Sequence, residues 1–298
     1  MALAATIEPS GAKPRRRLAP STIMLYGILG LAAIYYLIPL YVMVVTSLKG
    51  MPEIRMGNIF SPPMEITFEP WVKAWSEACT GLYCHGIQVG FWNSVKILVP
   101  SVIISIGIAS VNGYALANWR FKGSETFFII LLFGAFIPYQ VMLYPLVLVV
   151  RSLGLFSTLG GVVLVHTIFG MPINTLLFRN YFASLPPELF KAARVDGAGF
   201  WQIFLRIMLP MSLPIFVVGM IVQITGIWND FLFGVIFAGT QNYPMTVQLN
   251  NVVNAVQGVK EYNVNMAATL LTGAVPLIVY FVSGRMFVRG IAAGAVKG

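Results

Sequence analysis

Three groups of residues in this 298-residue chain have the types and spacing to do chemistry or to grip a partner. The first is Trp228-Asn229-Asp230, at the close of an otherwise uncharged apolar stretch. A carboxylate held in hydrocarbon costs about 2.5–3.5 kcal/mol and normally faces a cavity or a partner. Either Asp230 does so, with Trp228 supplying an aromatic face and Asn229 both a donor and an acceptor, or it stands solvated at the end of a span. Tyr139, Gln140, His166 and Asn174 are further polar side chains in or beside apolar stretches. Each could line the same path or hydrogen-bond a neighbouring helix. The second group is Cys79 and Cys84, five residues apart, which could form a local disulfide or stand as two thiols. His85 is adjacent, but no fourth ligand at tetrahedral spacing completes a metal site. The third is a short charged run that includes Glu188, Lys191 and Asp196, ending at Gly197. No phosphate loop, zinc-binding H-E-x-x-H pair or G-x-S-x-G elbow is present, so the chain reads as a non-enzyme without a cofactor of its own.

The elements that must position these groups are membrane spans. Charged residues make up 10% of the chain against 58% apolar, too little charge to cover a water-soluble domain of this size. The pattern predicts an all-α polytopic membrane protein, because a helix of about 20 apolar residues crosses a bilayer. Six transmembrane helices are expected, at residues 23–47, 95–117, 127–147, 159–178, 211–231 and 267–287. They divide the chain into a basic N-terminal segment (1–20), a six-helix body (21–290) and a short C-terminal tail (291–298). The apolar run after Lys13, Arg15, Arg16 and Arg17 is too long for a signal peptide and lacks a small-residue cleavage pattern. It reads as a retained first helix.

Basic residues orient the body, since Lys and Arg accumulate in short cytoplasmic segments. With the N-terminus inside, the cytoplasmic pieces hold Arg120, Lys122, Arg179, Lys191, Arg194, Arg206, Arg285, Arg289 and Lys297 beside the N-terminal cluster. The outer pieces hold few, offset by Glu53, Glu65, Glu69, Glu77 and Glu261. Both termini and the charged run are thereby predicted cytoplasmic, and the cysteines fall in the oxidising compartment of a bacterium. Topology alone accounts for the net charge of +9 without invoking nucleic acid. The outer segments 49–92 and 240–265 are long enough to dock a partner or to be plain solvated connections.

The charged run lies in a hairpin over 184–210. Ser184 suits a helix N-cap, Pro186 and Pro187 its first turn, and Glu188 the positive end of its dipole. Leu189, Ala192, Ala193 and Asp196 recur on one face, and Gly197 supplies the left-handed stop. Phe200, Phe204, Ile207 and Met208 then form a second short apolar helix that Pro210 ends.

The segment Glu188-Leu-Phe-Lys-Ala-Ala-Arg-Val-Asp-Gly-Ala-Gly-Phe200, with Ile207-Met-Leu-Pro210 downstream, resembles the cytoplasmic signature loop of permease subunits of binding-protein-dependent ABC importers. Its Ala-Ala-Arg-Val-Asp-Gly-Ala stretch is similar to the carbohydrate-importer branch, and Gly294-Ala-Val-Lys-Gly298 to the tail of its maltose-type second permease. Trp228-Asn-Asp-Phe231 and Glu261-Tyr-Asn-Val-Asn265 resemble glucose/mannose-type members.

The resemblance implies a partner set: a second permease, two ATPase subunits that bind ATP and Mg, and a periplasmic sugar-binding protein. It implies an ATPase-coupling role for Glu188, Lys191, Ala192, Ala193, Asp196 and Gly197. It gives Tyr139, Gln140, Asn174, Trp228, Asn229 and Asp230 a place on a sugar path in the bacterial inner membrane. The tail from about Ala292 to Gly298 is expected to touch the ATPases. One position departs from the pattern: Lys191 stands where relatives carry Glu before the Ala-Ala pair. Either Glu188 or Asp196 then provides the acidic contact, or the ATPase carries a compensating acid. The competing expectations are a secondary transporter, which usually shows paired repeats of interrupted helices, and a channel, which needs no docking hairpin.

Overall fold

A computed structural model describes residues 20–81, 83–119, 121–254 and 260–295. Most of the predicted N-terminal segment, Arg120 and the last three residues of the tail therefore lie outside the described residues. The chain begins with α1 (Pro20–Ser47), followed by two short helices, α2 (Met51–Met56) and α3 (Glu69–Ser76), and the long α4 (Gln88–Asn118). Next come α5 (Ser124–Phe136), α6 (Tyr139–Ser152) and α7 (Leu159–Ser184). The hairpin contributes α8 (Pro187–Val195), α9 (Phe200–Ile203), a π-helical turn (Phe204–Met208) and α10 (Leu209–Met211). The chain closes with α11 (Leu213–Trp228), α12 (Leu232–Phe237), a 3-10 turn (Thr240–Asn242), α13 (Met245–Val253) and α14 (Tyr262–Ala295). No strand is present among the described residues beyond one isolated bridge between Cys79 and Cys84.

Four helices, α1, α4, α7 and α14, are long and apolar enough to cross a bilayer unbroken. The other two expected spans are bent. The third, expected as one helix over 127–147, breaks into α5 and α6 at 104°. Proline disfavours helical backbone at the residue before it and removes a donor, and here Ile137 is extended ahead of Pro138. The fifth joins Phe200–Met211 to α11 across a 78° bend. Counting each bent pair as one span, the six expected helices are present.

The hairpin's second helix does not end at Pro210 as expected. The chain stays helical through Met211 and turns at Ser212, whose hydroxyl donates to the carbonyl of Met208 and whose own carbonyl accepts from the N–H groups of Ile215 and Phe216.

The core sits where α4 crosses α7. A Cβ at Gly113 would lie 2.6 Å from Phe178 Cβ and 2.7 Å from the Arg179 nitrogen, so only glycine permits this approach. Further along α7, polar groups join it to α11. Asn174 Nδ2 donates to Gln223 Oε1 at 3.1 Å, and Gln223 Nε2 to the His166 carbonyl at 3.3 Å. Such bonds hold apolar helices together where lipid offers no hydrophobic drive. By contrast, only Val45, Thr46 and Ser47 of α1 are buried.

The segment after α1 is folded onto the end of the bundle opposite the hairpin. Lys49 is 2% exposed and donates to the Asn58 carbonyl (3.3 Å) and to Ser61 Oγ (3.0 Å), while Asn263 Nδ2 donates to the Lys49 carbonyl. Lys73 pairs with Glu261 at 2.7 Å. These contacts join the two long loops that the hydropathy pattern separates.

Candidate functional site

The hairpin is held by its inner face and leaves its outer face free. Helix α8 starts with Pro187 at its first position and Pro186, not Ser184, at its N-cap; Ser184 is the last residue of α7 and donates to the Tyr181 carbonyl. The cap expected from Ser184 is therefore absent, because α7 runs further than its hydropathy indicates. At the other end Gly197 adopts φ of 80°, and the N–H of Ala198 reaches back to the Ala193 carbonyl at 3.0 Å, a left-handed helix stop. Gln202 Oε1 accepts from the Gly199 N–H at 3.0 Å, which fixes the start of α9.

Phe190 and Ala193, three residues apart, are the buried positions of α8. The expected common face of Leu189, Ala192, Ala193 and Asp196 is thus split: Ala193 packs inward, and the other three are exposed. Phe190 meets Trp119 edge-on at 5.7 Å and Tyr114 at 6.4 Å. Tyr114, fully buried at the end of α4, also contacts Phe200 (4.8 Å) and Phe204 (5.4 Å). Trp119 Nε1 donates to Tyr114 Oη at 2.7 Å, and the Arg194 guanidinium lies 4.8 Å over the Trp119 ring. Each aromatic pair contributes about 0.5–1.5 kcal/mol beyond its buried area. The cluster fastens the hairpin to α4, so a push on α8 is delivered to a helix of the bundle core.

The outward face carries Leu189, Ala192 and Val195 at three-residue steps, with Val195 87% exposed. Glu188, Lys191 and Asp196 are exposed beside this stripe, and none of the three makes an ion pair among the described residues. An apolar stripe rimmed by unpaired charges of both signs is a surface suited to a groove on another protein.

The candidate path residues lie around the helix breaks. Asp230 caps α12: Oδ1 accepts from the Phe233 N–H (3.3 Å) and Oδ2 from the Gly234 N–H (3.0 Å). His166 Nε2 stands 3.6 Å from Asp230 Oδ2. Tyr139, the first residue after the Pro138 break, packs on Phe233 at 5.5 Å, and Phe233 meets the His166 ring at 5.4 Å. Tyr139, Gln140 and Asn229 are exposed. One short helix, α12, therefore gathers Asp230, His166 and Tyr139.

Two candidates are placed elsewhere. Trp228 is buried, its indole N–H donating to the Thr272 carbonyl at 2.9 Å and its ring against Phe91 at 5.7 Å, so it joins α11 to α14. Asn174 is 1% exposed and bonded across to α11. Gln223, Phe233 and Thr246, whose hydroxyl donates to the Asp230 carbonyl at 2.5 Å, belong to the same region but are absent from the expected set. A lone amide in the apolar run of α11 was the available signal for Gln223. Cys79 and Cys84 are joined by a disulfide.

A bundle of apolar helices, two of them broken, with a hairpin whose outer face is exposed, defines an α-helical integral membrane protein. The family described as "Binding-protein-dependent transport system inner membrane component" matches residues 93–293. A protein of Pyrococcus horikoshii named as a probable ABC transporter permease is 35% identical over 95% of this chain and 100% of its own length. An alpha-glucoside transport system permease of Rhizobium meliloti is 38% identical over 84% of this chain and 66% of its own. The crystal structure of a bacterial ABC transporter involved in import of the acidic polysaccharide alginate superposes with a TM-score of 0.78 at 21% identity, covering 92% of this chain and 99% of that one. This chain belongs to the family of inner membrane components of binding-protein-dependent transport systems.

Proposed function

We propose that the chain is the permease subunit of an ATP-driven sugar importer and receives ATP energy through its hairpin. The observation that carries this reading is the division of α8. One face is locked to Tyr114 and Trp119, and the other presents Leu189, Ala192 and Val195 with nothing among the described residues to cover them. Binding-protein-dependent importers take their energy from a separate ATPase, and such a surface offers it a handle. With the basic residues inside, the hairpin faces the cytoplasm and the 49–92 and 240–265 segments face the binding protein. The partner set is a second permease in a heterodimer, two ATPase subunits holding ATP and Mg, and a periplasmic sugar-binding protein. Closure of the ATPases would move α8, and α4 with it, rocking the bundle between states open to one side at a time.

Lys191 is exposed one turn from Glu188, so the ATPase groove is inferred to offer an acid to Lys191 in place of a base. Asp230, His166 and Tyr139 are the groups inferred to meet the sugar, with glucose or glucose-containing glycosides as the class. The alpha-glucoside permease relative supports that class.

Gly197→Trp tests the reading. The position is exposed, no atom lies within 4 Å of where a Cβ would stand, and its φ of 80° suits glycine, so the variant distorts the corner while the bundle stays intact. The ATPase should no longer co-purify and sugar uptake should stop. Normal assembly and uptake would sink the proposal.

A further inference from the structure

At the end of the bundle opposite the hairpin, a cavity of about 560 Å³ opens between the disulfide loop and α13. Ligand pockets are commonly about 300–1,000 Å³. Its polar lining comes from two distant parts of the chain: Thr80, Tyr83 and His85 on one side, and Gln241, Gln248 and Asn251 on the other. Among the described residues, no Asp, Glu, Lys or Arg lines it. The Tyr83 and His85 rings lie nearly parallel, 15° apart, with centroids at 6.3 Å.

The site is built rather than left over. The disulfide closes the loop between Cys79 and Cys84, and Asn251 Nδ2 donates to the Thr80 carbonyl at 3.4 Å, tying the loop to α13. Gly86 sits at φ of 61° with the Trp75 carbonyl 2.0 Å from where a Cβ would be, so the chain leaves the disulfide in a conformation only glycine allows. Gln248 is 6% exposed, and its Oε1 accepts from the Gly90 N–H at 2.9 Å. Among the described residues, its Nε2, the Gln241 side chain and the Tyr83 hydroxyl have no hydrogen-bond partner. Two residues before Gln248, Thr246 holds the Asp230 carbonyl, so the cavity adjoins the helix break that gathers the candidate path residues.

Amides, hydroxyls and stacked rings without a charge match a neutral polyhydroxylated ligand: amides donate to and accept from hydroxyls, and ring faces cover C–H surfaces. They match neither an ion nor an acidic sugar, whose charge would go unpaired. We propose that this cavity is a saccharide-binding vestibule that holds one neutral sugar unit at the outer mouth before it enters the path. The proposal rests on the sugar-import reading.

The test uses the full transporter complex in lipid nanodiscs without its binding protein, titrated with maltose, trehalose and glucose and read by saturation-transfer NMR. Tyr83→Ala and Gln241→Ala are chosen because neither side chain has a hydrogen bond to lose among the described residues. At least one of the three sugars should bind, and each variant should raise its Kd about tenfold, equivalent to about 1.4 kcal/mol. ATP-driven uptake of the same sugars, with binding protein present, is measured in parallel. Uptake without detectable binding to the nanodisc complex, or variants that bind as tightly as the parent, overturns the vestibule and leaves the transport reading standing. Absence of uptake for every neutral sugar that the binding protein holds overturns the transport reading itself.

Discussion

Removing the Trp119 side chain should loosen the hairpin without unfolding the bundle. Trp119→Ala deletes the edge-on pair with Phe190 at 5.7 Å and the tilted pair with Phe200 at 5.4 Å, each about 0.5–1.5 kcal/mol. It also deletes the stacking of Arg194 at 4.8 Å, about 0.5–1 kcal/mol, and the 2.7 Å bond to Tyr114 Oη, about 0.5–1.5 kcal/mol. Because Trp119 is only half-buried, the lower part of the combined range applies, about 2–3 kcal/mol. At about 1.4 kcal/mol per decade, that raises local opening of α8 by about 30- to 140-fold. Hydrogen exchange on the assembled complex reads this as faster exchange at amides of α8 and α9, with α7 unchanged. Trp119→Phe keeps a ring and loses mainly the N–H bond, so its effect should stay under about tenfold. Sugar taken up per ATP hydrolysed should fall with Trp119→Ala and recover largely with Trp119→Phe. If α8 exchange in Trp119→Ala stays within threefold of the parent, the aromatic cluster is not what fastens the hairpin.

Further outcomes follow from other contacts. Gly113→Ala pushes a methyl against Phe178 and the Arg179 backbone, and overpacking of this kind costs about 1–3 kcal/mol, so the thermal midpoint of the purified protein should drop by several degrees. Asp230→Ala should impair sugar uptake while ATPase assembly persists, and Asp230→Asn, which can still accept from the α12 N–H groups, should retain the local structure; unchanged uptake kinetics in both would remove Asp230 from the path. The Cys79→Ser/Cys84→Ser double variant should release a short closed loop, worth about 2 kcal/mol by loop entropy. Sugar affinity at the outer cavity should then weaken while hydrogen exchange in α4 and α7 stays as in the parent.

The hairpin was the most legible part of the chain because its ends are written in residues with narrow backbone preferences. Pro187 opens α8 and Gly197 closes it, as their conformational limits require. Its packing face was harder to read. Leu189, Ala192, Ala193 and Asp196 share a helical spacing, but the residues that choose the buried side, Tyr114 near the end of α4 and Trp119 just past it, lie about 70 positions away. The break in the third span was hidden for a different reason. Pro39, Pro100, Pro145, Pro172 and Pro276 all sit inside continuous helices, so Pro138 carried no distinguishing mark. Apolar length located the spans, since hydrocarbon thickness sets it directly. Trp228 reads as an aromatic platform beside Asp230 only until its indole is seen bonded to Thr272, a contact 44 positions distant.

The most direct test of the hairpin as the seat of the ATPase is a photo-reactive amino acid at Val195, the most exposed apolar position of α8. The assembled, transport-competent complex is irradiated and its cross-linked peptides are identified by mass spectrometry. The account predicts that residue 195 joins to peptides of the ATPase subunit, with the yield changing when ATP is added. A complex that transports sugar yet yields no ATPase peptide from this position would contradict it.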